Sequence, residues 1–235
     1  MIMSTIATNL QAVQQIIGAA AREAGRAPQS VALLAVSKTF GFEAVLEALR
    51  AGQRSFGENY LQEALDKIAA VAAAAPETKL EWHFIGPIQS NKTRPIAQHF
   101  DWVHAVEREK IAQRLSEQRP ADLGPLNICL QVNISGEASK SGVTPAELPD
   151  LARRVAALPN LKLRGLMAIP EPEADFEAQR APFARLRQLF EQLRADGLEL
   201  DTLSMGMSAD LRAAIVEGAT IVRVGSAIFG ARHYS

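Results

Sequence analysis

The stretch VALLAVSKTFGFEAVLEALRAGQRSFGENYLQEALDK, residues 31–67, decides the fold. It opens with VALLAV (31–36), an almost continuous apolar run, which predicts a strand buried on both faces. FEAVLEALRAG (42–52) follows, with Val45, Leu46 and Leu49 at helical spacing and Gly52 placed to cap the end. RSF (54–56) then reads as a short strand. NYLQEALDKIAAVAAAA (59–75) reads as a helix, stopped by Pro76.

The same alternation runs outward from this stretch to the C-terminus. EWHFIG (81–86), DWVHAV (101–106), PLNICLQVNI (125–134), NLKLRGLMAI (160–169), DTLSM (201–205) and TIVRVG (220–225) read as the remaining strands. Between them lie helical segments at 90–100, 107–118, 145–158, roughly 175–196 and 208–218, and a short AIFG turn follows the last strand. Pro95 can sit only near the first turn of its helix, and Pro145 starts another. An amphipathic helix at about 4–24 precedes the first strand, with Ile6, Leu10, Val13, Ile17 and Ala21 on one side.

Strict β/α alternation predicts a parallel sheet. Eight such units in one domain of this length predict an α/β fold of the (β/α)8 TIM-barrel type, with residues 1–28 as an N-terminal helical extension. A doubly wound open sheet is the second choice. The 235 residues admit one domain or two, and the eight units consume nearly all of them, so the expectation is one. Lys plus Arg (25) nearly balances Asp plus Glu (26), which argues against a broad nucleic-acid surface. A single cysteine, Cys129, excludes an intramolecular disulfide framework and fits a reducing, cytoplasmic compartment. No apolar run approaches the ~20 residues that a membrane helix needs, so no membrane role is expected.

Barrels keep their chemistry at the C-terminal ends of strands. Lys38 follows the first strand, where partial desolvation would favour a neutral, nucleophilic amine; a lysine snorkelling to water is the plainer reading. The loops after strands seven and eight, SMGMS (204–208) and GSA (225–227), are rich in small residues that let backbone N–H groups approach a phosphate. Gly206 and Gly225 are otherwise ordinary turn formers, and Ser208 an N-cap of the helix at 208–218. Arg223 lies inside the last strand, where it is either paired or aimed at a ring or anion in the barrel mouth. His104, with Glu107 nearby, is placed after strand four, and Asn133, Ser139 and Lys140 after strand five. His83 reads as a core histidine. The histidines show no metal-ligand spacing, so no metal is expected. Lys92 and Lys140 are read as solvated residues on the active face.

LLAVSKTF, FGENYLQEALDK, WHFIGPIQSNK, VNISGEASKSGV, LRGLMAIP and LSMGMSADLRAAIVEGATIVRVGSAIFGAR occur in that order from about residue 30 onward. Together they resemble the pyridoxal phosphate homeostasis protein family, the YggS or PROSC type. The resemblance implies a barrel similar to the N-terminal domain of alanine racemase, PLP fold type III, with pyridoxal 5′-phosphate (PLP) held as a Schiff base on Lys38. It maps the phosphate site onto Ser204, Gly225 and Ser226 with Met207 and Ser208 nearby, the pyridine-facing residue onto Arg223, and the cofactor rim onto Asn59 and Met167. It implies a carrier or regulator of PLP, with PLP-dependent apo-enzymes as recipients and little amino-acid turnover; a monomer is expected because the racemase's partner domain is missing. Alanine racemase needs a second, β-rich domain with a catalytic tyrosine; this chain has only Tyr60 and Tyr234. A PLP-dependent amino-acid racemase is the alternative reading.

Overall fold

A computed structural model describes residues 4–136 and 141–231. Its strands are β1 (Ala32–Val36), β2 (Ser55–Glu58), β3 (Glu81–Phe84), β4 (Trp102–Val106), β5 (Leu126–Gln131), β6 (Leu161–Met167), β7 (Thr202–Ser204) and β8 (Ile221–Val224). Its helices are α1 (Thr5–Glu23), α2 (Phe42–Arg50), α3 (Leu61–Ala74), α4 (Thr93–His99), α5 (Glu109–Gln118), α6 (Leu148–Ala156), α7 (Phe176–Ala195), α8 (Leu211–Val216) and α9 (Ser226–Phe229). The strands close into a barrel in sequence order, every neighbour parallel, with β8 returning to β1 at Ala32↔Ile221 and Leu34↔Arg223. The predicted (β/α)8 barrel is the observed one.

Burial on both strand faces explains the continuous apolar runs. Outward residues such as Ala35, Val103, Leu166 and Val222 pack into the layer beneath the helices, while Leu34, Trp102, Cys129, Met167 and Ile221 form a second cluster. Gly165 is required by this closure, because a Cβ there would lie 1.7 Å from the Thr202 carbonyl oxygen of the neighbouring strand.

The extra helix α1 starts at Ser4, whose hydroxyl accepts the Ala7 N–H, and buries Leu10, Val13, Ile17, Ala20 and Ala21. Its Asn9 Nδ2 donates to the Ile228 carbonyl at 2.9 Å, and beyond its end Arg26 donates to the Ile215 carbonyl at 2.9 Å. Glu23 pairs with Arg212. The N-terminal extension thus braces α8 and α9 from outside the barrel.

The helices read from 145 and from 208 begin later than that reading. Residues 145–147 form a turn and α6 begins at Leu148, because the Thr144 hydroxyl engages both the Glu147 N–H and its carboxylate. Ser208 does not cap a helix: residues 208–210 are a turn, closed by the Met207 N–H donating to Asp210 Oδ1 at 2.6 Å, and Asp210 precedes α8. His104 lies within β4 and is fully buried, not in the loop beyond it. Ser139, Lys140, His233 and Tyr234 lie outside the described residues.

Candidate functional site

The backbone on either side of Lys38 is held from beneath. Lys67 of α3 is 4% exposed. Its Nζ donates to the Ser37 carbonyl at 2.8 Å, to Glu58 Oε1 at 2.6 Å and to Glu63 Oε1 at 3.0 Å. Glu58 Oε1 also accepts the Ser37 hydroxyl at 2.5 Å, and Glu63 Oε1 accepts the Thr39 N–H at 2.6 Å. One lysine and two carboxylates therefore fix the residues before and after Lys38. Thr39 has φ +69°, a left-handed conformation uncommon outside glycine, which needs such anchoring. Burial pushes the Glu58 carboxyl above its ordinary range, opposed by Lys67. Sequence reasoning missed this cluster; Glu63 and Lys67, four apart, look like a surface helix pair.

Lys38 itself is half-buried and lines a small cleft with Val36, Phe40, Gly225, Ser226 and Gly230. Strands β1 and β8 are neighbours across the barrel seam, so the loops that follow them converge here. A Cβ on Gly225 would sit 3.1 Å from the Val36 carbonyl oxygen, so the glycine keeps this passage open. Ser226 begins α9, whose first N–H groups have no partner within their own helix. Met207 and Ser208 stand exposed on the loop after β7, which turns at Gly206 with φ +97°.

Ser204 is placed differently from its neighbours in sequence. It is the last residue of β7, fully buried, and its hydroxyl lies 2.7 Å from Arg223 Nη1 and 2.7 Å from His104 Nδ1. It therefore supports Arg223 from below and stands apart from the exposed Ser208. Arg223 is 4% exposed, and its second nitrogen donates to the Ala168 carbonyl at 3.0 Å. It forms no ion pair among the described residues. Burial lowers it to about 10, partly offset by Asp210 and Cys129, so it remains a cation at neutral pH. Met167, at the end of β6, is buried in the cluster with Leu34 and Trp102.

Behind Ser204 the contacts continue. His104 Nε2 lies 2.8 Å from His83 Nδ1, and His83 Nε2 lies 2.8 Å from Glu81 Oε1. The two histidines face each other rather than a shared metal position. Sequence reasoning placed His83 in the core, as observed, but saw no connection between it and Arg223.

Asn59 lies after β2 in a neighbouring cleft with Gln89, Lys92, Glu107 and Gln131. Its Oδ1 is buried and lacks a hydrogen-bond partner among the described residues. Lys92 is exposed, as read from the sequence. The structure thus brings Lys38, Gly225 and Ser226 into one cleft and sets Arg223, Ser204 and Met167 in the barrel interior. Met207 and Ser208 stand on the surface loop, and Asn59 in the adjoining cleft. An amine, a glycine–serine turn and a buried cation without a carboxylate partner among the described residues form a set suited to a small anionic molecule with an electrophilic group.

Comparison with known proteins gives the family. The family model for the N-terminal domain of alanine racemase matches residues 5–233. The pyridoxal phosphate homeostasis protein of Pseudomonas aeruginosa is 66% identical over 232 residues, spanning 99% of this chain and 98% of that protein. PipY of Synechococcus elongatus, solved with PLP bound, superposes with a TM-score of 0.81 at 36% identity, over 96% of this chain and 100% of that one. Alanine racemase from Corynebacterium glutamicum shares the fold, with a TM-score of 0.68 at 17% identity, and this chain covers 60% of its length. Near-complete coverage in both directions, at an identity this high, decides the family: the chain belongs to the pyridoxal phosphate homeostasis proteins.

Proposed function

We propose that this chain is a single PLP-binding barrel that acts in PLP homeostasis as a carrier or regulator. The reading is carried by one observation: Lys38, Gly225 and Ser226 share a cleft at the barrel seam, two residues along β8 from a buried Arg223 that has no carboxylate partner among the described residues. The residues present fit PLP. The cleft has the small-residue turn a phosphate needs, and Asn59 Oδ1, without a partner among the described residues, is a second buried polar atom near the rim.

When bound, PLP supplies an aldehyde that an amine can add to reversibly. Lys38 is the amine at the rim, held in register by Lys67, Glu58 and Glu63 through its two neighbours. Gly225 and Ser226 would hold the phosphate, with Met207 and Ser208 nearby, while Ser204 is buried against Arg223. Met167 and Asn59 would flank the ring. Arg223 would face the pyridine nitrogen. It holds its proton at neutral pH, so it offers that nitrogen a donor and takes no proton from it. A carboxylate would instead favour a protonated ring, the better electron sink. The guanidinium therefore supports weak carbanion chemistry and a binding role; PLP-dependent apo-enzymes as recipients and a cytoplasmic monomer are further parts of the proposal that Arg223 does not bear on. The racemase alternative has only a shared fold in its support.

The test is borohydride reduction of the PLP-loaded protein followed by peptide mapping. The peptide carrying Lys38 should hold the cofactor, and Lys38→Ala should abolish both the label and the visible absorbance. Equal labelling of Lys38→Ala, or a label on another lysine alone, would overturn the assignment.

A further inference from the structure

With both imidazoles neutral, the contacts running from Arg223 down the barrel have only one consistent direction. Arg223 can only donate, so Ser204 Oγ accepts from Nη1 at 2.7 Å. At the other end the Glu81 carboxylate can only accept, so His83 Nε2 carries a proton and donates to it at 2.8 Å. A neutral His83 then presents a bare Nδ1, which must accept from His104 Nε2–H at 2.8 Å. His104 Nδ1 is thereby left bare and must accept the Ser204 hydroxyl proton at 2.7 Å. Every hydrogen bond points from the cation toward the carboxylate. Reversing the histidines would set a bare His83 Nε2 against a carboxylate, two acceptors at hydrogen-bond distance.

The two ends differ in access. His83, His104, Ser204 and Arg223 are buried, while the Glu81 side chain is 48% exposed. Glu81 and His83 open onto a cavity of about 270 Å³ at the N-terminal end of the barrel, opposite the Lys38 cleft and lined also by Trp102, Arg164 and Asp201. Burial lowers both imidazoles, His104 the more strongly, which agrees with neutral rings.

We infer that Glu81 is a positioning residue for the ring end of the site: its carboxylate fixes the polarity of the chain His83–His104–Ser204, so that Ser204 gives its proton away and stands before Arg223 as an acceptor. This rests on the reading that Arg223 faces the PLP ring. A donor at position 81 would reverse the chain. His104 would then donate to Ser204 as well, the freed serine proton would compete with Arg223, and the guanidinium would lose its fixed orientation.

The experiment measures imidazole tautomers by nitrogen-15 NMR on cofactor-free protein, wild type and Glu81→Lys, and the visible absorbance maximum of both after PLP loading. In the wild type both rings should be neutral with a proton on Nε2. In Glu81→Lys both should move to Nδ1–H, and the absorbance maximum should shift. A charged ring or an Nδ1–H tautomer in the wild type overturns the inference, as do identical tautomers in the two proteins. Reversed tautomers with an unmoved absorbance overturn the link to the ring. A loaded wild-type protein without a visible band would instead sink the PLP reading, and the cofactor-free tautomers would still decide the polarity.

Discussion

Lys67→Met isolates the physics of the cluster beneath Lys38. The substitution keeps an unbranched side chain of similar length but removes a cation that donates to Glu58, Glu63 and the Ser37 carbonyl. Glu63 is partly exposed and can recruit water. Glu58 is fully buried, its Oε2 already lacks a partner among the described residues, and only the Ser37 hydroxyl would remain on Oε1. Stranding a buried carboxylate in this way costs about 3–5 kcal/mol at neutral pH. For a chain of this size that lowers Tm by roughly 6–20 °C.

The pH dependence carries the sharper test. The Glu58 carboxyl is raised in the folded protein by burial, and Lys67 opposes the rise. A carboxyl raised above its unfolded value of about 4.3 favours folding most at low pH, and that contribution is lost as pH climbs through the folded value. Removing Lys67 raises the folded value further. The deficit of Lys67→Met should therefore be larger at about pH 7 than at about pH 4.5, as the stranded group is forced to ionise. Urea unfolding at both pH values measures it. At neutral pH, the double variant Glu58→Gln, Lys67→Met should recover at least about 1 kcal/mol relative to the single one, because no buried charge is left unpaired. A deficit below about 1 kcal/mol, or one independent of pH and additive with Glu58→Gln, would refute the reasoning.

Two further outcomes follow from packing. Gly165→Ala should yield no folded protein by circular dichroism, since its Cβ would meet the Thr202 backbone at 1.7 Å and only strand separation could relieve it; a native spectrum would show that the β6–β7 contact is looser than described. Cys129 is fully buried, and burial pushes its thiol up to about 12, so a thiol reagent at about pH 8 should react at the unfolding rate alone. Rapid labelling of the native protein would contradict this.

The strands were legible because a parallel strand covered on both faces must be apolar at nearly every position, and VALLAV or DWVHAV can be little else. The helix starts at 145 and 208 were misread for a local reason: Thr144 and Asp210 use their side chains to close turns before the helices can begin. Lys38, Gly225 and Ser226 were legible as a group because the residues just beyond neighbouring barrel strands must meet at one end. Ser204 and His104 were not, since a residue still inside a strand can point to either side, and the phase depends on where the strand ends. β7 stops at Ser204 itself, which turns a presumed loop hydroxyl into one that faces Arg223.

The hardest feature to read was the chain from Arg223 to Glu81. It links β8, β7, β4 and β3, and its members stand 19, 100, 21 and 2 residues apart. No spacing rule joins such positions. The sequence did hold a hint, in that EWHF, WVHAV and TIVRV each place one basic side chain amid apolar strand residues. A lone buried basic group is costly, whereas a guanidinium and two imidazoles that can hand hydrogen bonds on to a carboxylate are not. Three strands with one such residue each are thus better explained by a shared network than by three separate exceptions, and the closed barrel is what allows strands so far apart in sequence to share it.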